Sequence, residues 1–284
     1  MKLSQTRVVI ALAILVVSTS SCSVVNKIRA KNQLNEAARA YQDGHFEEAE
    51  GYSRTAHDLD PENKTALLFI ARTIHAQYKA GVQAPENLAK ATQAIQAYQQ
   101  VLEKDPKSEE AYKAIAYLYQ ATKETEKLRA WISSRASDTS LTPEKRAEAF
   151  VVLASQDWDC SFKITELPTS QTKTLSGGNK LTITYKKPAN EKDFDTAQAC
   201  VKRGLEEIEN AIKLDPNSEP AWSYKTNLLI ETVRLAEMDG KTDEKAQLEK
   251  LREEAQKRTT ELNQINLKKK EEEEAKKAAS PAKT

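Results

Sequence analysis

Over most of the chain, apolar residues recur three and four positions apart, the spacing of a helix with one buried face. Leu34, Ala37 and Tyr41 form one such stripe, and Phe46, Ala49, Ala56 and Leu59 form the next. Leu67, Ile70, Ala71 and Ile74 make a third, partnered by Ala94, Tyr98 and Leu102. Ala111, Tyr112, Ile115, Ala116 and Tyr119 follow, then Leu128, Trp131 and Ile132. Phe150, Leu153, Ala154 and Trp158 open a fourth pair, completed by residues 196–214, and Trp222, Leu229 and Leu235 a fifth. The period changes to two in Ser161 to Leu167 and in Lys180 to Lys186, with Gly177, Gly178 and Asn179 just ahead of the second run. That alternation predicts a β-hairpin set among helices.

Leu59-Asp60-Pro61 recurs as Leu214-Asp215-Pro216, with Lys104-Asp105-Pro106 as a variant. Each ends a helical stretch and precedes a few polar residues and another helix. Proline cannot continue a helix but can open the next, so the recurrence marks a helix–turn–helix junction. In the first unit Gly44, Phe46, Ala49, Ala56 and Pro61 stand at the spacing G-x-F-x-x-A-x6-A-x4-P. This resembles the second half of a tetratricopeptide repeat (TPR), a helix pair of about 34 residues. Gly44 permits the tight turn, and Ala49 and Ala56 let two helices approach closely. About five such units are recognisable, three of them moderate or good matches and two partial; the third lacks the closing proline. The resemblance implies an all-α fold, a right-handed superhelix of stacked antiparallel helix pairs, interrupted by the hairpin.

The same resemblance implies a protein-binding groove lined by the first helix of each unit. Carried onto this sequence, the inner-face positions are Leu34, Ala38 and Tyr41, then Leu68, Arg72 and His75, then Lys113, Tyr117 and Gln120. Val151, Ser155, Asn227 and Ile230 continue the series. Tyrosine, arginine, lysine and glutamine suit an extended peptide or a helix. The carboxylate clamp of chaperone-binding repeats needs Lys and Asn where Leu34 and Ala38 stand, so that partner class is disfavoured.

At the N-terminus, Lys2 and Arg7 precede the apolar run Val8 to Val17 and the small polar residues Thr19-Ser20-Ser21-Cys22. This is the layout of an export signal. It resembles a bacterial lipobox, which implies cleavage before Cys22 and acylation of that cysteine. Thr19 departs from the family's usual Leu or Val. Ser23 at the next position implies the outer membrane. Simple cleavage and an uncut anchor over the uncharged stretch Val8 to Val25 remain alternatives. The expected layout is a signal peptide over 1–21, a linker over 22–29, a repeat domain over 30–264 with an insertion at 160–193, and a charged tail over 265–284 that is either an exposed helix extension or disordered. If Cys22 is acylated, Cys160 and Cys200 are left at either end of the insertion, where an exported chain can join them by a disulfide.

Composition agrees with helices: Ala, Glu, Lys, Gln and Leu dominate, and the chain has only 7 Gly and 9 Pro. The formal net charge of +1 supplies no field to draw in nucleic acid. No nucleophile elbow, zinc motif, phosphate loop or dinucleotide fingerprint is present. His45, His57 and His75 lack the spacing of a metal or catalytic group. The sequence therefore points to a non-enzymatic scaffold of the bacterial cell envelope that needs no cofactor, metal or small-molecule substrate. Its partners would be envelope or outer-membrane proteins in the groove, and a membrane through the lipid. The alternative is a periplasmic module for a glycan or envelope polymer such as peptidoglycan, with Trp158, Trp222 and Tyr117 as stacking platforms.

Overall fold

A computed structural model describes the backbone of residues 3–176 and 180–279 and the side chains of residues 23–175 and 181–277. The helices are α1 (Leu3–Gln42), α2 (Phe46–Leu59), α3 (Lys64–Gln77), α4 (Pro85–Lys104), α5 (Glu109–Ala121), α6 (Thr125–Ser137), α7 (Pro143–Thr165), α8 (Glu191–Leu214), α9 (Glu219–Met238) and α10 (Thr242–Ala279). Strands β1 (Gln171–Ser176) and β2 (Lys180–Tyr185) form an antiparallel hairpin between α7 and α8. The chain divides into two compact units, Met1–Leu128 and Arg129–Thr284, so the repeat region expected as one run is split inside α6. Within the first unit α1 packs on α2 and α3 on α4; within the second, α7 packs on α8 and α9 on α10. The architecture is all-α and TPR-like.

Two kinds of turn generate the repeat. The first closes a helix pair. At the ends of α1, α5 and α9, His45 N donates to Ala40 O, Glu124 N to Tyr119 O and Lys241 N to Ala236 O. Each is the long bond of a Schellman cap, which needs one left-handed residue. Gly44 (φ 81°) and Gly240 (φ 71°) supply it without strain, whereas the third site holds Lys123 (φ 62°). The second turn links successive pairs. Asp60, Asp105 and Asp215 adopt nearly the same conformation, with φ/ψ of −143°/83°, −140°/80° and −137°/90°. Their carbonyls accept from the amides of Asn63, Ser108 and Ser218, each three residues on. Pro61, Pro106 and Pro216 thus sit second in a four-residue turn, where a fixed φ is favourable. They do not open the next helix. Asn63, Ser108 and Ser218 do that as N-caps, their side chains accepting from the amides of Ala66, Ala111 and Ala221.

Small residues set the spacing of the helices. Ala30, Ala56 and Ala66 are fully buried where α1, α2 and α3 meet, with Leu34 and Leu59 packed around them. Ala49 is also fully buried. In the second unit Ala147, Val151, Ala154, Ile208, Ala211, Ala221 and Leu228 form the core between α7, α8 and α9. Gly204 of α8 lies so close to its neighbours that an added Cβ would stand 2.6 Å from Leu228 Cδ2.

Two sequence expectations are corrected. Ser161 to Thr165 continues α7 as helix, and the first strand begins at Gln171, after a 3-10 turn at Pro168–Ser170. Residues 22–29, expected as a linker, lie within α1. Of the two readings left open for the tail, the helix extension holds over residues 265–279, which continue α10. The cysteines are joined as expected: Cys160 of α7 and Cys200 of α8 form a disulfide with a Cα–Cα distance of 6.1 Å. The hairpin emerges beyond this clip and is tied to α9, because Tyr185 N donates to Glu237 Oε1 (3.0 Å) and Lys187 pairs with Asp239 (2.6 Å).

Candidate functional site

In the first unit, helices α1, α3 and α5 contribute side chains to one cleft of about 630 Å³. Tyr41 enters at the end of α1, Arg72, His75 and Ala76 come from α3, and Glu110, Lys113 and Ala114 from α5. Tyr98 of α4 is 2% exposed and forms the floor. The inner-face stripe brings these residues together because residues three and four apart share a helix face.

The cleft is aromatic and carries one more positive than negative side chain. Tyr41 meets Phe46 and Phe69 edge-on, at centroid distances of 5.2 and 5.9 Å. The His75 ring lies 5.8 Å from Tyr98 and 5.6 Å from Tyr117, and His75 Nδ1 is 3.3 Å from the Tyr98 hydroxyl. Such contacts favour offset and edge-on rings over stacked ones. Burial lowers the His75 pKa, so the imidazole is neutral at pH 7, and burial raises the Tyr98 phenol well above its usual range. Arg72 and Glu110 form a two-pronged pair across successive repeats, and the hydrogen bonds that Arg72 donates to the Glu110 carboxylate raise the arginine's pKa. Both side chains remain 41% exposed, so the pair contributes at most about 1 kcal/mol. Lys113 is exposed and makes no ion pair among the described residues, leaving one uncompensated positive charge at the rim.

Of the expected groove residues, Tyr41, Arg72, His75 and Lys113 line this cleft, and Tyr117, 48% exposed, adjoins it through His75. Leu68 is half-buried and Gln120 exposed, and neither lines it. Val151 is corrected: it is buried in the core of the second unit. Tyr98, Tyr78 and Glu110 escaped the sequence reading. Glu110 could have been found, since it lies one turn ahead of Lys113 and Ala114 on the same face of α5. Tyr98 belongs to a second helix, where the repeat pattern signals packing only.

The second unit buries its charges in two networks. Asp157, 2% exposed, accepts from Arg129 (3.0 Å) and Arg203 (2.9 Å). Glu231, fully buried, accepts from Ser161 (2.9 Å), Thr165 (2.8 Å) and Arg234 (2.7 Å). Burial raises the Glu231 pKa and these donors oppose the shift. Each carboxylate has partners on other elements, so both fasten the fold. Trp158 stacks on Phe162 at 4.9 Å and meets Tyr224 edge-on, while Lys225 lies over the ring of Trp222. Among the described residues, no group of three or more His, Cys, Asp or Glu could hold a metal ion.

No protein-family model and no curated protein matches the chain. Similar solved structures include a MamA double mutant titled RS-1 ArsTM, at 15% identity and a TM-score of 0.41, over 84% of this chain and 96% of that one. MamA 41-end from Desulfovibrio magneticus RS-1 matches at 15% identity, a TM-score of 0.40 and the same coverage. A further MamA protein matches at 13% identity and a TM-score of 0.36, over 82% of this chain and 94% of that one. The TPR-like class rests on the helix pairs and their repeated turns, not on these likenesses.

Proposed function

We propose that this chain is a non-enzymatic scaffold that holds a segment of a partner protein in the cleft between α1, α3 and α5. The observation that carries the reading is the convergence of Tyr41, Arg72, His75, Tyr98 and Lys113 from successive helix pairs on one cleft. Aromatic rings, a neutral imidazole and an exposed lysine offer stacking area and donors, with no activated nucleophile among them. A peptide or helix with an apolar side chain beside a carboxylate fits this chemistry. A photo-crosslinking residue at Lys113 or Tyr117 should give one discrete protein adduct in cells, and the same residue at Gln93 of α4 should not. Equal adducts from all three positions would sink the reading.

We further propose that the scaffold works at the bacterial cell envelope, anchored through an acylated Cys22. The support is the apolar run Val8 to Val17 followed by a small polar stretch and a cysteine. The side chains of 3–22 lie outside the described residues, so this part rests on sequence. Among the described residues no helix is long and apolar enough to cross a membrane. Radiolabelled palmitate should enter the wild-type chain and be absent from Cys22→Ser. Equal labelling of both would reject the anchor.

A further inference from the structure

The first helix carries two faces that the repeat uses differently. Asn26 is half-buried and Ala30 and Ala37 are fully buried, on the side packed against α2 and α3. Val24, Val25 and Ile28 are 58%, 42% and 58% exposed. At about 100° per residue these three fall within an arc of about 100°, whose centre lies roughly 170° from that of the packed stripe. Lys27 and Lys31 flank the arc on one side and Arg29 on the other; all three are exposed and none makes an ion pair among the described residues. An aliphatic stripe between rows of basic residues is the pattern of a helix lying in a membrane interface.

We infer that residues 23–31 form a second membrane contact, which lays the start of the repeat domain on an anionic lipid surface next to the acyl chains. The inference rests on the proposed acylation of Cys22, and it assigns the exposed stripe to lipid. Charge complementarity favours that occupant, since anionic headgroups would neutralise three cations that the protein leaves unpaired. Three aliphatic side chains are far less than a stable dimer interface needs. Lipid seated here fixes the helix lengthwise on the membrane, where acylation alone leaves the domain free to swing.

The test uses the full chain processed by its host, purified in detergent and reconstituted into vesicles. With Cys22 acylated and Cys160 bonded to Cys200, a cysteine introduced at Val25 or Ile28 is the single free thiol for a nitroxide label. In vesicles one-third phosphatidylglycerol, labels at 25 and 28 should collide severalfold more with oxygen, relative to a water-soluble nickel chelate, than a label at Gln93. The combined substitution K27E, R29E and K31E should return the ratio to the Gln93 value. Three charges at about fivefold each shift the lipid-bound equilibrium by about a hundredfold. Ratios at 25 and 28 equal to that at Gln93 would overturn the inference, as would dipolar broadening between labels, which would mean a second copy covers the stripe. A label taken up by Cys22 in a chain with no introduced cysteine would instead show that acylation, and not the stripe, is the failed premise.

Discussion

Lys123 occupies a backbone conformation that its neighbours in the repeat reserve for glycine. With φ at 62° it fills the left-handed site of the cap that ends α5, where α1 and α9 have Gly44 and Gly240. A residue with a Cβ costs about 1 kcal/mol or more in that region. The Lys123 side chain is exposed, so removing it forfeits no buried contact. Lys123→Gly should therefore stabilise the chain by about 1 kcal/mol, offset only in part by the freedom glycine adds to the unfolded state. A urea titration would read this as a higher midpoint at unchanged slope; a lower midpoint would mean that the lysine makes a compensating contact. Sequence alone marked Gly44 as a turn but passed over Lys123, because a left-handed lysine leaves no compositional trace.

Among the elements, those with local instructions were legible. The recurring Asp-Pro turn and the three-and-four spacing located the helix pairs, and the inner-face pattern that the tetratricopeptide resemblance implies placed Tyr41, Arg72, His75 and Lys113 on one side of them. Ser161 to Leu167 was misread as a strand because the inward positions of α7 are polar there. Ser161 and Thr165 stand one helical turn apart, and both donate to Glu231, 70 and 66 residues further along the chain. A buried hydroxyl whose acceptor is that distant looks like an exposed one in sequence. The sequence left residues 265–279 open between helix and disorder for the opposite reason: they have no apolar face, yet consist almost wholly of strong helix formers with Glu272–Lys276 and Glu273–Lys277 spaced four apart. The Glu231 network carries a pH signature. Its carboxyl is raised above the ordinary glutamate value by burial, while Thr165, Ser161 and Arg234, itself paired with Glu166 at the end of α7, oppose the shift. A raised carboxyl binds its proton more tightly in the folded state. The resulting stability is complete below the unfolded pKa near 4.5 and lost as pH climbs through the folded value. Glu231→Gln removes this titration, so its melting temperature should fall less than that of wild type between pH 5 and pH 7. Parallel profiles would show that the carboxylate stays ionised throughout.

For the molecule as a whole, the division at Leu128 and Arg129 gives each part its own reporters. All three tryptophans, Trp131, Trp158 and Trp222, fall in the second unit, as does the disulfide, whereas the first unit has tyrosines and no cysteine after Cys22. The Cys160–Cys200 bond closes a loop 40 residues long. On the chain-entropy account such a closure contributes roughly 4 kcal/mol by restricting the unfolded chain. Because α7 and α8 keep their packed face without it, the loss should weaken the second unit rather than abolish it. For a unit of this size, that loss lowers the melting temperature by about 10 °C. Adding a thiol reductant should therefore move the tryptophan-fluorescence transition down by about that amount. Helix content, followed by circular dichroism, should then fall in two steps, the later one belonging to the first unit. A single transition that shifts identically in both signals would mean that the two units fold as one. At a temperature between the two steps, a reduced chain would keep its candidate binding cleft folded while the second unit is open, and partner crosslinks from Lys113 should survive there.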